Sequence, residues 1–373
     1  MELINATRMV AGYAMGMEPS GRESLVVVIK GTFRFPLPDE PAGHFALHEE
    51  QQPLVMADTF TGVPGLSAPL HEIDFAPRKA RCDILLQGSA HAPQGRPVER
   101  LEVGVRVGTW SKTMAVLGPR RWSCGIGGVS ATPPGLFVRK PISYDCAFGG
   151  ADLMHPDPSE HAAFLPNPVG RGFHRHLRIE WVEGMPLPAT EEVDRAVQDP
   201  RGAYRPMAFG PVGRSWEPRR RFAGTYDDAW FEHHFPFLPP DFDPQYFQAA
   251  PPDQQVPLEM FENGNVEVAL AGLTPQGMTR FTVPHLVAPV HVFPVRGERE
   301  DCTAVLDTLA IEPDAQRFSL TWRVTRPLRR NLFEVAQVLV GKRGREWWQV
   351  RDQSVFPIPV VMVPMRPEAA GSA

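Results

Sequence analysis

The chain has 373 residues, of which 43% are hydrophobic and 22% charged, with a net charge of −5 at neutral pH. That length allows two domains or one large domain with elaborate loops. A pI near 6.2 offers no basic field to a phosphate backbone, so nucleic acid is not expected as a partner.

The opening MELINATRMVAGYAMGMEPSG has no basic leader region, and Gly12 and Gly16 interrupt its apolar residues, so it does not read as a signal peptide. No run approaches the ~20 apolar residues that span a bilayer, so no membrane partner is expected and the expected location is the cytoplasm. The first 150 residues read as a series of short strands. LVVVIKGTFRF (Leu25–Phe35) begins as a continuous apolar run and then alternates, with Thr32 and Arg34 opposed to Phe33 and Phe35. CDILLQGSAHA (Cys82–Ala92) follows. In RLEVGVRVG (Arg100–Gly108), Leu101, Val103, Val105 and Val107 take one face and Glu102 and Arg106 the other, which predicts a half-buried strand turning at Gly108.

Residues 151–255 are rich in proline, glycine, histidine and aromatics and show little periodicity; Ala189–Gln198 is the best helical candidate there. From Val256 onward the β pattern resumes in NVEVALAGL, RFTVP, CTAVLDTLAIEP, RFSLTWRVT and EVAQVLVG, the last compatible with helix as well. The expected fold is mainly β: two β-sandwich-like units, residues 1–150 and 256–373, joined by the irregular region 151–255, with few helices. The 41 prolines fall between apolar runs rather than in one tract, which suits a loop-rich β protein.

Cys82, Cys124, Cys146 and Cys302 lie far apart with no C-x-x-C pair, so the spacing supports neither a zinc framework nor a disulfide scaffold. Four free thiols are expected. Asp241 and Asp243, or Asp227 and Asp228, have the chemistry to ligate a hard cation, yet no glycine-hinged loop surrounds them and prolines flank the former pair. Turn capping is their expected role. His174 and His176 share a strand face by spacing, His233-His234 do not, and HPDPSEH (His155–His161) reads as a loop. GIGGVS (Gly125–Ser130) lacks a P-loop lysine, and Cys124 has no nominated base. The sequence therefore nominates no catalytic residue, no metal and no cofactor.

One segment stands apart. AGTYDDAWFEHHFPFLPPDFDPQYFQAAPPDQQ (Ala223–Gln255) carries eight aromatics, six prolines and five aspartates. Flexible linkers are poor in large apolar groups, so something packs on it. Tyr226–Phe247 is expected to be an ordered clamp with Trp230 and most of its phenylalanines buried, while Phe231 and Phe237 are candidate protein-binding residues.

This same segment closely resembles the signature of a bacterial family known as domain of unknown function 2169. VVVIKGTFRF, IDFAPRKARCDILLQGSAHAP, KTMAVLGPRRW, PISYDCAFGG and NPVGRGF are similar to further family motifs and stand in the same order. Cys146 departs from the pattern, which leads one to expect a less reactive residue, often arginine, in the AFGG motif. The resemblance implies a non-enzymatic type VI secretion adaptor or chaperone that binds a cognate effector and helps load it on the VgrG–PAAR spike. Two other readings are open: a metal-dependent hydrolase or carbohydrate-processing enzyme built on the Asp and His loops, and a structural part of the secretion apparatus.

Overall fold

The computed structural model describes residues 1–18, 20–37, 40 and 44–348. Strand accounts for 40% of the protein and helix for 13%. The main strands are β1 (Glu2–Asn5), β2 (Val10–Met17), β3 (Glu23–Arg34), β4 (Cys82–Leu86), β5 (Arg100–Val107), β6 (Trp110–Leu117), β7 (Val266–Ala271), β8 (Met278–Val283), β9 (Ala288–Pro294), β10 (Glu300–Glu312), β11 (Arg317–Pro327) and β12 (Val335–Val340).

A large sheet runs in the order β1-β12-β9-β10-β11-β3-β2, with β4 pairing alongside β10 and Gln255–Val256 alongside β4. It curls nearly into a barrel. A second sheet orders Thr190–Glu191, β6, β5, β7 and β8. Both sequence blocks contribute to both sheets: β3 pairs with β11, and β5 pairs with β7. The block boundaries at 150 and 256 mark changes of sequence pattern, and the hydrogen-bond ladders run across them.

The two sheets share one core. Leu25, Val27, Ile29 and Phe33 of β3 and Phe318, Leu320 and Trp322 of β11 face Val103, Val105 and Val107 of β5 and Val268 and Leu270 of β7. Phe281 stacks on Phe318 at 4.6 Å between ring centroids and on Phe35 at 4.7 Å, across the sandwich. The expected alternation of β5 is present, with Glu102 and Arg106 exposed and Val107 turning through Gly108 at φ +53°. The continuous apolar run of β3 has a physical cause: both faces are covered. Val26, Val28, Lys30 and Thr32 point away from the shared core and lie under the segment 48–77.

On that covered outer face the charged groups are paired. Lys79 Nζ donates to Asp83 at 2.8 Å and to Thr308 at 2.9 Å, Lys30 pairs with Asp74 at 3.0 Å, and Arg323 with Asp307 at 2.5 Å. Buried polar groups demand this, because an unpaired one costs its full desolvation energy.

Ala189–Gln198 is not helical: Thr190–Glu191 is a short strand on β6, and the chain then turns through Glu192–Arg195. Burial overrides propensity here, since Glu191 is held inside by Arg120 at 2.8 Å and by the Val197 amide at 3.1 Å. EVAQVLVG resolves as strand β12, apart from its 3₁₀ start. The C-terminal block beyond Trp348 lies outside the described residues.

No two of the four cysteines are joined. Thiol titration of the unfolded protein, prepared without reductant and shielded from air, is expected to count four; a count of two would contradict the free-thiol reading.

Candidate functional site

The aromatic segment divides into two halves with opposite roles. The second half, Phe242–Val256, is the clamp. Gln248 is buried; its Oε1 accepts from the Ala80 amide at 2.9 Å and its Nε2 donates to Asp83 at 2.8 Å. Asp83 also accepts from the Ala249 amide at 2.8 Å, so one carboxylate on β4 holds Lys79, Gln248 and Ala249 together. Gln254 donates to the carbonyls of Ile84 at 2.8 Å and Phe209 at 2.9 Å and accepts from Lys112 of β6 at 2.6 Å. The segment thereby bridges the large sheet at β4 and the small sheet at β6.

A buried arginine adds the third tie. Helix α1 (Glu217–Arg220) places Arg219 so that its guanidinium meets both oxygens of Glu72 at 2.9 Å, the Val212 carbonyl at 2.9 Å and the Tyr246 carbonyl at 2.8 Å. Arg214 pairs with the same Glu72 and with Asp58 at 2.6 Å. Tyr246 lies under the Arg219 guanidinium, 5.5 Å from ring centroid to Cζ. Every donor of the Arg219 fork is used, which a lysine cannot reproduce.

The first half, Gly224–Leu238, is a loop closed at its base. Thr225 donates from its amide and its hydroxyl to the two oxygens of Asp241, at 2.9 and 2.7 Å, and Asp243 N donates to the Phe222 carbonyl at 3.0 Å. Gly224 enters at φ +81°, with Pro239 and Asp241 where a Cβ would stand, so only glycine suits the entry. Within the loop, Asp227 caps α2 (Asp228–His233) by accepting from the Trp230 amide at 2.9 Å. The Trp230 indole N–H donates to the Phe237 carbonyl at 2.9 Å, and its ring meets Tyr226 edge-on at 4.7 Å and Phe235 at 5.7 Å. The result is a knob whose rings brace one another but are left uncovered. Phe231 is 66% exposed, Phe235 60%, Tyr226 54% and Phe237 44%.

The clamp expectation therefore holds for Phe242, which is buried, and for the half-buried Tyr246 and Phe247, and fails for the rings before them. Trp230 is half-buried, not sealed in a core, because its partners are other knob residues. Of the two candidate binding residues, Phe231 points to solvent and Phe237 is partly exposed while its ring leans on Gly21, in the turn between β2 and β3. Sequence reasoning missed Asp83, Gln248, Gln254 and the Glu72–Arg219 pair. The only signal for them was their polarity beside apolar runs.

The groups weighed for chemistry are occupied elsewhere. Asp241 clasps Thr225, and Asp243 accepts from the Gln245 amide at 2.8 Å at the start of a 3₁₀ turn. Asp157 does the same for Ser159 within HPDPSEH. His155 and His176 come together, ring centroids 5.1 Å apart, but His174 is buried away from them, and His233 and His234 are exposed. GIGGVS spans the turn of a hairpin, Trp122–Gly125 with Gly128–Ala131. Desolvation and the Glu183 carboxylate push the Cys124 thiol up, away from the thiolate that a nucleophile requires. Among the described residues no three His, Cys, Asp or Glu side chains are grouped to hold a metal ion. No helix there is long and apolar enough to cross a membrane.

Two histidines give the molecule a pH signature. Burial lowers the pKa of His71, opposed by Glu312 and Asp74 and aided by Lys30 and Arg317, and burial lowers that of His174, opposed by Asp152. A folded-state pKa below the unfolded value means that the unfolded chain takes up protons first as pH falls. Stability is then full above the usual imidazole range and declines below about pH 6.5. The urea midpoint is expected to fall between pH 7.5 and 5.5, and less so in His174→Gln; an unchanged wild-type midpoint would refute this.

A family model described as an uncharacterized protein conserved in bacteria (DUF2169) matches residues 20–323. No curated protein and no solved structure matches the chain.

Proposed function

The chain belongs to this uncharacterized bacterial family, and from that premise we propose that it is a non-enzymatic type VI secretion adaptor. In this reading it acts in the bacterial cytoplasm, binds a cognate effector and hands it to the VgrG–PAAR spike. The observation that carries the reading is the knob: four exposed rings, held in fixed geometry by a buried anchor. Aromatic side chains dominate binding hot spots, because they bury a large apolar area at low entropic cost. Exposed together on a soluble surface they mark a partner site.

The anchor serves the same end. A loop ordered before contact gives up less entropy on binding, so a modest contact area suffices for a transient complex that must later release its cargo. Deleting the gene should abolish delivery or accumulation of one effector while secretion of the tube protein continues. Loss of all type VI secretion would instead make the protein a structural part of the apparatus.

A further inference from the structure

Among the described residues, the edge of the large sheet beside the knob carries no paired strand. β2 pairs with β3 through all eight of its residues, and among the described residues its other edge pairs with no strand. Edge strands of soluble proteins are normally protected by charge, proline, a bulge or a cover. VAGYAMGM has no charge, no proline and an unbroken register.

Its side chains are arranged for a visitor. Gly12 and Gly16 turn toward the covering segment, against Leu54, Phe75 and Pro77. Tyr13 and Met15 stand opposite Val27 and Leu25, two buried members of the shared core, so they lie on the core-facing side of the sheet. They are nonetheless exposed, as is Met17. Among the described residues the core face thus runs out to the sheet edge without a cover. Phe237 rests on Gly21 in the turn that follows β2, so the knob and this edge meet at one end of the hairpin.

Resting on the partner-binding reading above, we infer that β2 captures an extended segment of the effector as an added strand, with the knob gripping side chains beside it. The segment's chemistry follows from the edge. It is a run of about six to eight residues with apolar side chains at alternate positions, free of proline at the paired amides. Main-chain hydrogen bonds supply the attachment and the alternation supplies the choice, so an unfolded, aggregation-prone stretch is the natural cargo.

The test is hydrogen–deuterium exchange on the full chain, alone and in complex with the product of the adjacent gene. Amides of Val10–Met17 that point away from β3 are expected to exchange rapidly in the free chain and at least tenfold more slowly in the complex. Met15→Lys, at an exposed position, is expected to fold normally and to weaken the complex at least tenfold. Protection of the knob with unchanged exchange in β2 would overturn strand capture and leave the partner reading standing. Slow exchange already present in the free chain would mean that the edge is filled by the chain itself or a second copy, and would also overturn it. If no complex forms, the adaptor reading falls, and strand capture with it.

Discussion

Replacing Arg219 by alanine should destabilise the protein by about 3–5 kcal/mol, from two buried carbonyls left without a donor at about 1–3 kcal/mol each and two charge-assisted hydrogen bonds lost. Both Arg219 and Glu72 are buried, and the substitution strips Glu72 of two hydrogen bonds of 2.9 Å while orphaning the Val212 and Tyr246 carbonyls. Arg214 still neutralises Glu72, so the loss falls chiefly on the ties that hold Tyr246 and the clamp in place. Arg219→Lys should recover only a small part, because one ammonium cannot serve two carboxylate oxygens and two carbonyls in fixed directions. Denaturant midpoints measure both. A loss below about 1 kcal/mol would mean that the network is dispensable, given that surface substitutions normally fall within ±0.5 kcal/mol. The variant should also weaken partner binding, since the knob is mounted on this anchor.

What the sequence revealed of the fold was its periodicity. The period-2 pattern of β5 and the apolar run of β3 are local, and both are strands as expected. How those strands associate was not legible, because pairing β3 with β11 joins residues almost 300 positions apart and nothing in either segment names the other. Ala189–Gln198 failed for the same reason: the deciding partner of Glu191, Arg120, is remote in sequence. In the aromatic segment, composition alone required that rings be buried somewhere. It did not say which, since Phe231 and Phe242 are chemically alike and differ only in what the chain brings against them. Strand β2 is legible in the alternation of Tyr13, Met15 and Met17, but its place at a sheet edge is not, because that depends on which remote strands pair with β3.

The second large effect concerns recognition rather than stability. Phe231 is the most exposed ring of the knob and contacts only Phe235 among the aromatic pairs, at 5.7 Å. A phenylalanine in that position contributes little to the fold and a great deal to a partner that buries it. If it is a hot spot, Phe231→Ala should cost about 2–4 kcal/mol of binding, roughly a 30- to 1000-fold loss of affinity. Trp230→Ala should sit between the two classes: it removes the brace of the knob, yet costs less than the about 3–5 kcal/mol of a sealed aromatic.

The most direct measurement pairs two readouts on one preparation of Phe231→Ala: the denaturant midpoint, and the affinity for the product of the neighbouring gene, the partner that the proposed function expects. A midpoint within about 0.5 kcal/mol of wild type together with at least a 30-fold weaker complex is the predicted result. Unchanged affinity in the folded variant, or a loss of affinity fully accounted for by unfolding, would contradict the assignment of the knob as the partner-binding surface.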